Sequence, residues 1–392
     1  MFVVLAWLAC SPPPSADLTP MAELDALDDD LIHPERILIA DVGAIAPGLA
    51  GQNLTSWREL PGTSVLLLPA GVHPLDAVEE LRAQGYDAEP DLLRTTLSKD
   101  PFFDLQWHLS MIHTEEAWEE STGSGVTVAV LDTGVAVGGN DAPNVISGWD
   151  FVDDDGWAGD ANGHGTHVAG TIAQATDNGV GGAGVAPDAT ILAVRVLDAE
   201  GRGWTSDIIA GVELAVDEGA DIINLSLGSY THSQNENRAM KQAKQAGVLV
   251  IGAAGNDGLY GLVYPARYNH VMAVGAVDAR GLWARYSNYH WKVEICAPGG
   301  DTSKDRDEDG YVDGVLQQTK VNGSYEHYFF QGTSMATPHV AGVAALVMSM
   351  GVNSWDTRTL LKETATDTGK TGKDVLYGWG LVDAEAAVLA VD

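Results

Sequence analysis

The amino-acid sequence predicts an α/β protein with a doubly wound, mostly parallel sheet, helices on both faces of the sheet, and a small α+β unit ahead of it. The first observation is a series of short apolar runs, rich in Val and Ile, that begins near residue 125. Strands of a parallel sheet that is buried on both faces have this near-continuous apolar character. The second observation is that helix-like segments separate the runs, which is the alternation expected of a doubly wound sheet.

The strand-like runs are "GVTVAVLDTGV", "ATILAVRVL", "ADIINLSL", "GVLVIGAAGN" and "HVMAVGAV". The helix-like segments between them are "GTHVAGTIAQA", "TSDIIAGVELAVDEG" and "NRAMKQAKQAG". A further apolar segment, "VAGVAALVM", follows "GTSMATPH", and Pro338 is expected in the first turn of its helix, where a missing N–H costs little. We assign residues 98–392 to this domain.

Residues 34–97 form the small α+β unit. "RILIADV" and "SVLLLPA" are typical of strands, and "HPLDAVEELRAQGY" is typical of a helix with Pro74 in its first turn and Gly85 at its end. An extended segment, "AEPDLLRTTL", follows. A unit of about 60 residues is near the lower limit for an independent core.

The first ten residues, "MFVVLAWLAC", form an apolar run that is too short to span a bilayer and resembles a bacterial lipoprotein signal. We therefore expect export, followed by lipidation of Cys10; the alternative is a signal-peptide cysteine that is lost on cleavage. Residues 11–33 are Pro-rich and then acidic, which is typical of a flexible, disordered tether. The remaining cysteine, Cys296, is expected to be a buried free thiol, because two cysteines make no disulfide framework.

The chain carries 55 Asp and Glu against 21 Lys and Arg, a net charge of −34. This balance excludes nucleic acid as a partner, because phosphates would be repelled. It is compatible with an exported protein that stays soluble in salt, with a protein that collects divalent cations, or simply with a solvated acidic surface.

Three polar residues lie where catalytic groups gather in such sheets, beyond the carboxyl ends of the strands. Asp132 ends a strand in "AVLDTGV", His164 opens a helix in "NGHGTHVAGT", and Ser334 opens the helix of "GTSMATPHVAG". Asp132 and His164 could each singly be a turn residue, as could Asn256 in "GND", and Ser334 could lie at the irregular start of a buried helix. "HGTH", with His167, could also be a metal pair, but no third ligand lies nearby in the sequence.

Together, the motifs "VAVLDTGV", "GHGTHVAGTIA" and "GTSMATPHVAG", with "AAGN" at 253–256, give residues 105–392 a resemblance to the subtilisin family (subtilases) of serine peptidases. The resemblance implies a serine endopeptidase that acts on proteins or peptides, a monomer without an organic cofactor. It implies Ser334 as nucleophile, His164 as general base and Asp132 as its orienting partner, in the chain order known for subtilisin. The Asn256 side chain and the Ser334 N–H would then bind the oxyanion.

The same resemblance places the substrate, as an extended strand, between residues 199–203 and residues 226–229. The residues implied in substrate binding are Gly201, Gly203, Ser226, Leu227, Gly228, Ala254 and Gly255. Val263 falls where relatives have the floor of the primary pocket, so its branched side chain is expected to narrow that pocket. Asp257, near the pocket mouth, is expected to attract a basic residue.

The small unit at residues 34–97 resembles the propeptide of this family. We expect it to inhibit the peptidase intramolecularly until the chain cuts itself near "RTTLSKDPF". The enzyme would then be extracellular, or anchored at the cell surface or in the periplasm through Cys10. Two other functions are disfavoured. A non-catalytic, lipid-anchored binding protein would lack a triad residue, and none is missing; an esterase would carry a G-x-S-x-G elbow and the order Ser-Asp-His, whereas this chain has "GTSMA" and the order Asp-His-Ser.

The stretch "DRDEDGYVDG" predicts a structural calcium site. Its ligands would be Asp305, Asp307, Asp309, the Tyr311 carbonyl and Asp313. These residues match most of an EF-hand-like loop, but Leu316 stands where the last, bidentate Glu belongs. The alternative is an acidic solvated loop. A second calcium site is expected from Asp141 and residues 175–181.

Overall fold

The computed structural model describes residues 32–40, 54–60, 63–83, 88–92, 100–306 and 308–391. Their contacts divide the chain into two compact units, with the division between residues 97 and 98. The predicted signal peptide (1–10) and almost all of the predicted tether (11–33) lie outside the described residues, as does Asp307.

The small unit is a four-stranded antiparallel sheet with one helix. Its elements are β1 (Ile32–Ala40), β2 (Thr55–Leu60), β3 (Thr63–Leu67), α1 (Pro74–Ala83) and β4 (Ala88–Leu92). The strand order is β2-β3-β1-β4. Val78 and Leu81 on one face of α1 are fully buried against Ile37 and Ile39 of β1, which gives the unit its own small core. The predicted α+β class is therefore confirmed.

The large unit is built on a seven-stranded parallel sheet in the order β11-β10-β9-β8-β5-β7-β6. Its strands are β5 (Thr127–Asp132), β6 (Asn144–Asp150), β7 (Thr190–Arg195), β8 (Ile222–Leu225), β9 (Leu249–Ala253), β10 (Met272–Val277) and β11 (Val293–Pro298). Strands β8, β9 and β10 are buried along their whole length, as the continuous apolar runs predicted. The predicted doubly wound sheet is confirmed.

Helices cover both faces of this sheet. They are α2 (Trp107–Ser110), α3 (Thr114–Ala117), α4 (His164–Ala173), α5 (Thr205–Asp217), α6 (Gln234–Gln245), α7 (Thr333–Ser349), α8 (Ser354–Glu363) and α9 (Ala384–Leu389). A 3-10 turn, Phe103–Leu105, precedes α2. One buried apolar cluster fills the face that carries α4 and α7, and a second fills the face that carries α5 and α6. No single helix in the described part of the chain is long and apolar enough to cross a membrane; only α7 and α8 taken together, bent by 118°, reach that length and composition.

The helices differ in what accepts the backbone N–H groups of their first turns. Ser233 caps α6, Asn353 caps α8 and Asp383 caps α9, each with a side-chain oxygen that accepts a backbone N–H. Helix α7 follows Gly332 and has no side-chain cap. The Thr333 N–H donates to Asn256, and the N–H groups of Met335 and Ala336 donate to the Gly332 carbonyl. Among the described contacts this leaves the Ser334 N–H available at the start of the helix.

A two-stranded antiparallel hairpin, β12 (Val315–Val321) and β13 (Ser324–Phe330), leads into α7. It packs against α4. In a parallel sheet all strands end at one edge, and here the residues that follow β5, β8 and β9 meet at this edge with the starts of α4 and α7. We call this the carboxyl edge of the sheet.

Candidate active site

Asp132 and His164 are in direct contact at the carboxyl edge. Asp132 is the last residue of β5 and is fully buried, and His164 is the first residue of α4. The Nδ1 atom of His164 lies 2.7 Å from Asp132 Oδ1. The Thr133 N–H donates to the same oxygen at 2.8 Å. The carboxylate therefore fixes the orientation and the tautomer of the imidazole and leaves the other ring nitrogen for chemistry.

Two glycines make this close approach possible. A Cβ on Gly165 would lie 2.2 Å from the Gly134 carbonyl oxygen and 3.0 Å from the Asp132 Cβ. Gly134 itself has a φ of +99°, and a Cβ there would lie 2.5 Å from the Gly159 carbonyl oxygen. Only glycine fits both positions, so the "DTG" and "HGT" segments allow the start of α4 to sit directly on the end of β5.

Asp160 is a positioning residue that the sequence analysis did not identify. Its buried carboxylate accepts the Thr133 hydroxyl at 2.9 Å, both the N–H and hydroxyl of Thr166, and the N–H groups of Asn162 and Gly163. It thus joins the residue after Asp132 to the turn before His164. Burial raises the pKa of Asp160, although these hydrogen bonds oppose the rise.

The electrostatics of His164 favour a base held beside a fixed anion. Burial lowers the pKa of His164, but the Asp132 carboxylate raises it by more, so the net pKa lies above the ordinary value of 6.5. The neighbouring His167 behaves differently. Its Nε2 donates to the carbonyl oxygens of Val315 and Tyr328, its ring stacks on Phe330, and burial lowers its pKa to about 3. His167 is thus a neutral core residue.

Two further buried histidines pack behind Ser334. His339 Nδ1 donates to the Met335 carbonyl at 2.8 Å, so its Nε2 must accept from His108 Nδ1, which is also 2.8 Å away. Burial lowers the pKa of His339 to about 4 and that of His108 well below 6.5. With His167, they form a group of neutral histidines beneath the site.

Ser334 and the segment after β8 are joined by two reciprocal hydrogen bonds. Its hydroxyl donates to the Ser226 carbonyl at 3.1 Å, and the Ser226 hydroxyl donates to the Ser334 carbonyl at 2.8 Å.

Pro338 lies inside α7 rather than in its first turn, so the expectation for it was wrong. Because Pro338 has no N–H to offer the carbonyl four residues earlier, the Ser334 carbonyl is left free for Ser226.

Asn256 presents its amide nitrogen beside the start of α7. Its Oδ1 accepts both the N–H of Thr333 at 2.8 Å and the Thr333 hydroxyl at 2.9 Å, which fixes the orientation of the amide. A Cβ on Gly332 would lie 3.4 Å from Asn256 Nδ2 and 3.6 Å from the Ser334 backbone nitrogen. Two N–H donors therefore flank the same small space at the positive end of a helix, where negative charge is stabilised.

The residues expected to wall the primary pocket meet around Val263. A Cβ on Gly228 would lie 2.4 Å from Val263 Cγ2, and one on Gly255 would lie 3.0 Å from Val263 Cγ1. Val263 is buried, and its N–H donates to Ala254 at 3.2 Å. The valine side chain therefore lies between the two glycine walls.

Beyond this pocket, Leu227 packs against the second core cluster. Asp257 is exposed, and its Oδ2 accepts the Tyr230 hydroxyl at 2.7 Å. Asn288 Nδ2 in turn donates to that hydroxyl at 2.8 Å. The carboxylate is thus held in place by an aromatic neighbour.

The other expected edge, residues 199–203, is a tight loop after β7. Asp198 Oδ1 accepts the N–H groups of Glu200 and Arg202. Gly201 has a φ of +74°, and a Cβ on Gly203 would lie 2.1 Å from the Val196 carbonyl oxygen. The loop is joined to the turn before His164 by a 2.7 Å hydrogen bond from Asn162 Nδ2 to the Ala199 carbonyl.

The expected calcium loop is described only in part: Asp305, Asp309, Tyr311 and Asp313 are among the described residues, and Asp307 is not. Among the described residues, no group of three or more His, Cys, Asp or Glu side chains is arranged to hold a metal ion. Asp313 Oδ1 accepts the Arg306 N–H, and the Arg306 guanidinium lies 3.4 Å from Asp313 Oδ2. Asp309 Oδ1 accepts the Tyr311 N–H at 2.7 Å. Because Asp307 lies outside the described residues, the loop calcium site stays a prediction.

The second expected calcium region is also held by hydrogen bonds of the chain. The buried Asp141 accepts Asn178 Nδ2 at 2.8 Å, the Gly182 N–H at 3.0 Å and the Gln174 side chain. N–H donors of the chain thus satisfy the Asp141 carboxylate, and the second calcium site stays a prediction. Cys296 is fully buried and free, as expected, and burial raises the pKa of its thiol.

This arrangement is suited to one kind of chemistry. A hydroxyl at a helix start, an imidazole held by a buried carboxylate and two N–H donors at an anion-stabilising position are the components of nucleophilic acyl transfer.

Comparisons with known proteins give the family. The model of the subtilase family matches residues 123–380. The chain is 42% identical over 338 residues to an alkaline protease of Alkalihalobacillus alcalophilus, covering 85% of this chain and 81% of that protein. It is 44% identical over 287 residues to subtilisin Savinase of Lederbergia lenta, covering 72% of this chain and 98% of that protein.

Among solved structures, a protease of Pseudoalteromonas arctica matches with a TM-score of 0.69 at 36% identity, covering 75% of this chain and 99% of that one. A lanthipeptide protease matches with a TM-score of 0.66 at 30% identity, covering 76% and 100%. The fold, the family model and the relatives agree, and we conclude that this chain belongs to the subtilase family and is a subtilisin-like serine endopeptidase.

Proposed function

We propose that Ser334, His164 and Asp132 form the catalytic triad of this endopeptidase. The observation that carries the proposal is the 2.7 Å contact between His164 Nδ1 and the buried Asp132, at the same sheet edge as Ser334 and Asn256. The Ser334 hydroxyl, which here donates to the Ser226 carbonyl, turns toward His164 Nε2 when a substrate is bound.

In the first step, the Ser334 oxygen attacks the peptide carbonyl carbon while His164 takes the hydroxyl proton. Asn256 Nδ2 and the Ser334 N–H stabilise the negative charge that develops on the carbonyl oxygen. His164 then gives the proton to the leaving amine, and the peptide C–N bond breaks. Water, deprotonated by the same imidazole, hydrolyses the acyl-enzyme and restores Ser334. Asp132 stays ionised and stabilises the imidazolium.

The substrate lies as an extended strand between residues 199–203 and residues 226–229. Support for this comes from the close backbone packing around Gly203 and Gly228 and from the Val263 side chain between the pocket walls. We expect a pocket that accepts small or medium-sized side chains, because a branched residue occupies the space between Gly228 and Gly255. Asp257 adds a negative charge near its mouth.

The chain is made as an exported zymogen, in which the unit at residues 34–97 serves as an intramolecular inhibitor that is removed by self-cleavage. Support comes from the length of the match with the alkaline protease, which covers 85% of this chain and therefore extends from residues 98–392 into the small unit. Export and lipidation at Cys10 rest on the apolar leader alone. A lipid-modified peptide beginning at Cys10, found by mass spectrometry, would support the anchor, and an unmodified or absent Cys10 would overturn it.

Calcium binding at residues 305–313 is proposed from the carboxylates of the loop and from Gly310, whose φ of +92° makes the sharp turn. To bind calcium, the Asp313 carboxylate would have to give up its ion pair with the Arg306 guanidinium. A rise in unfolding temperature with calcium that is lost on Asp309→Asn would support the site, since a ligand that binds only the folded chain must stabilise it. An unchanged unfolding temperature after chelation would overturn it.

The Ser334→Ala variant tests the triad and the zymogen together. We expect a full-length chain that does not mature and has lost turnover by about 10⁶-fold, the magnitude known for subtilisin itself. Adding a trace of active wild-type enzyme should then remove the N-terminal segment from the variant. A purified Ser334→Ala chain that matures on its own would overturn self-cleavage, and one that keeps its turnover would overturn the triad.

A further inference from the structure

A basic, tryptophan-rich face lies at the edge of the large sheet opposite the active site. It is formed around the amino ends of three neighbouring strands, β9, β10 and β11, whereas the catalytic residues follow the carboxyl ends of strands. Seven of the 21 Lys and Arg residues of this acidic chain lie here: Lys241, Lys244, Arg267, Lys292, Arg358, Lys362 and Lys373. We call these residues, with Trp291, Trp355 and Trp379, the basic face.

A cavity of about 200 Å³ lies at the centre of the basic face. Three ammonium groups line it, those of Lys292, Lys362 and Lys373, and Glu294 is the only carboxylate among its described lining residues. The Glu294 carboxylate is already occupied, because the Arg358 guanidinium donates to both of its oxygens. Lys362 reaches it only at 4.0 Å.

Lys373 is the clearest sign of unbalanced positive charge. It is partly buried at the cavity, and within the described residues it makes no hydrogen bond or ion pair. Burial, together with Lys362 and Arg358, lowers the pKa of Lys373 although Glu294 opposes this. Burial and the nearby Arg267 likewise lower the pKa of Lys292. Cations held close together in this way are stabilised when an anion binds among them.

Three indoles lie among these cations. The exposed fractions of Trp291, Trp355 and Trp379 are 59%, 62% and 43%. Lys244 holds its ammonium group 4.5 Å from the centre of the Trp355 ring. Trp291 and Trp379 both line the cavity with Lys373. The face thus combines large amphipathic rings with lysine side chains whose charged ends reach the surface.

This combination is the one that peripheral proteins use at an anionic bilayer. Indoles are favoured at the level of the lipid headgroups, and each Lys or Arg near a surface of anionic lipid adds about 1 kcal/mol of attraction. The charge of −34 on the whole chain does not prevent this, because charges farther from the membrane than about 8 to 10 Å are largely screened at physiological salt.

We propose that the basic face docks this peptidase on a membrane of anionic phospholipid, with lipid phosphates drawn to Lys362 and Lys373 and the indoles in the headgroup region. Because the face is at the amino edge of the sheet, docking directs the carboxyl edge, with its active site, away from the bilayer. This proposal is independent of the triad and of any lipid on Cys10.

The test uses the full-length chain with Ser334→Ala, which prevents self-cleavage, and Cys10→Ser, which prevents lipidation. Binding is measured by co-sedimentation with vesicles of pure phosphatidylcholine and with vesicles in which about a third of the lipid is phosphatidylglycerol. We expect binding to the anionic vesicles only, and its loss at about 1 M salt, where the screening length falls to about 3 Å. Any insertion of the apolar leader would appear equally with both kinds of vesicle.

The variant Lys362→Gln/Lys373→Gln should weaken binding to the anionic vesicles by about 30-fold, the effect of two surface charges. Trp291→Ser should weaken it further. Two control variants remove the same groups elsewhere: Lys304→Gln/Lys320→Gln at the loop and hairpin before α7, and Trp204→Ser, whose indole is the most exposed among the tryptophans whose side chains are described. The controls should bind like the parent chain.

Equal binding to both vesicle types, equal losses in the controls, or no binding to anionic vesicles would each overturn the proposal. Evidence that the basic face binds a soluble protein or peptide instead of a membrane would also overturn the proposal. If Lys362→Gln/Lys373→Gln instead abolished a dimer seen by sedimentation, or abolished binding of a polyaspartate peptide while vesicle binding was unchanged, the face would be a protein-binding surface.

Discussion

The two edges of the large sheet are built on opposite principles. At the carboxyl edge, charged and polar groups are paired within the chain: Asp132 holds His164, and Asp160 accepts five hydrogen bonds. At the amino edge, three lysines and one carboxylate, that of Glu294, line the cavity, and Lys373 has no partner within the part of the chain that the structure describes. The first arrangement fixes geometry, as chemistry requires. The second leaves charge to be satisfied from outside, as binding requires.

The largest effect is expected from removing the base. His164→Ala should lower turnover by about 10⁶-fold, the magnitude that subtilisin shows, because the Ser334 hydroxyl loses its proton acceptor. The same variant should bind anionic vesicles like the parent chain. Turnover is measured with a small peptide amide, and Lys362→Gln/Lys373→Gln should leave that turnover unchanged. A joint loss of both properties in either variant would show that the two edges are not independent.

The buried histidines beneath the site make stability sensitive to acid. His108, His167 and His339 are held neutral, with pKa values below 6.5 in the folded chain, so each takes up a proton on unfolding as the pH falls below 6.5. The free energy of unfolding should then fall by about 1.4 kcal/mol per pH unit for each histidine. This loss ends only near pH 4 for His339 and pH 3 for His167.

His164 does not add to this slope, because its raised pKa means that it is protonated in both states below pH 6.5. Denaturant unfolding of the Ser334→Ala chain at several pH values between 6.5 and about 4.5 measures the slope. His108→Asn should reduce it, because it removes one of the histidines that burial keeps neutral. A flat profile would contradict the neutral histidine group.

Asn256→Ala removes one of the two oxyanion donors and should lower kcat by about 10²–10³-fold, the range established with subtilisin. KM should change little, because the hydrogen bond strengthens only as the oxyanion forms. Steady-state kinetics on a peptide amide separate the two. A rise in KM with kcat unchanged would mean that Asn256 binds the ground-state substrate instead.

Gly165→Ala tests the close approach of α4 to β5. The added Cβ would lie 2.2 Å from the Gly134 carbonyl oxygen, so the backbone must shift and carry His164 with it. We expect a loss of about 10²-fold in kcat/KM, the size of effect that a misplacement of about 1 Å produces. Gly156→Ala, at a position with open space around it and no left-handed backbone, controls for substitution of a glycine as such. Equal activity of the two variants would contradict the packing argument.

The smallest effect concerns specificity. Val263→Ala should raise kcat/KM for substrates with an aromatic residue before the scissile bond by about tenfold, because a methylene-sized change in a pocket has an effect of this order. Substrates with Ala at that position should be cleaved at nearly the parent rate. A library profile in which the parent chain already prefers aromatic residues would contradict a narrowed pocket.

The sequence predicted the fold because strand burial and helix alternation are local patterns, which β8, β9 and β10 retain along their length. It predicted the Asp132–His164 pairing only through the family motifs. Asp160 was missed because an aspartate before "ANGHG" is indistinguishable from a solvated turn residue until Thr133 and Thr166 are brought to it by the fold.

Two other features could not have been read from the sequence. Pro338 was expected in the first turn, whereas it lies inside α7 and frees the Ser334 carbonyl for Ser226, a contact between residues 108 positions apart. The basic face gathers Lys and Arg residues from α6, from the loops before β10 and β11, and from α8 and its following loop. None of these segments is basic enough alone to be noticed in a chain so acidic.

The central claim is that Ser334 is the nucleophile and that His164 activates it. The most direct measurement is covalent labelling of the active enzyme with a fluorophosphonate, followed by mass spectrometry of its peptides. We predict a single labelled residue, Ser334, with labelling blocked by a peptide aldehyde and abolished by His164→Ala. An active enzyme that takes no label, or that carries the label on another serine, would contradict the account.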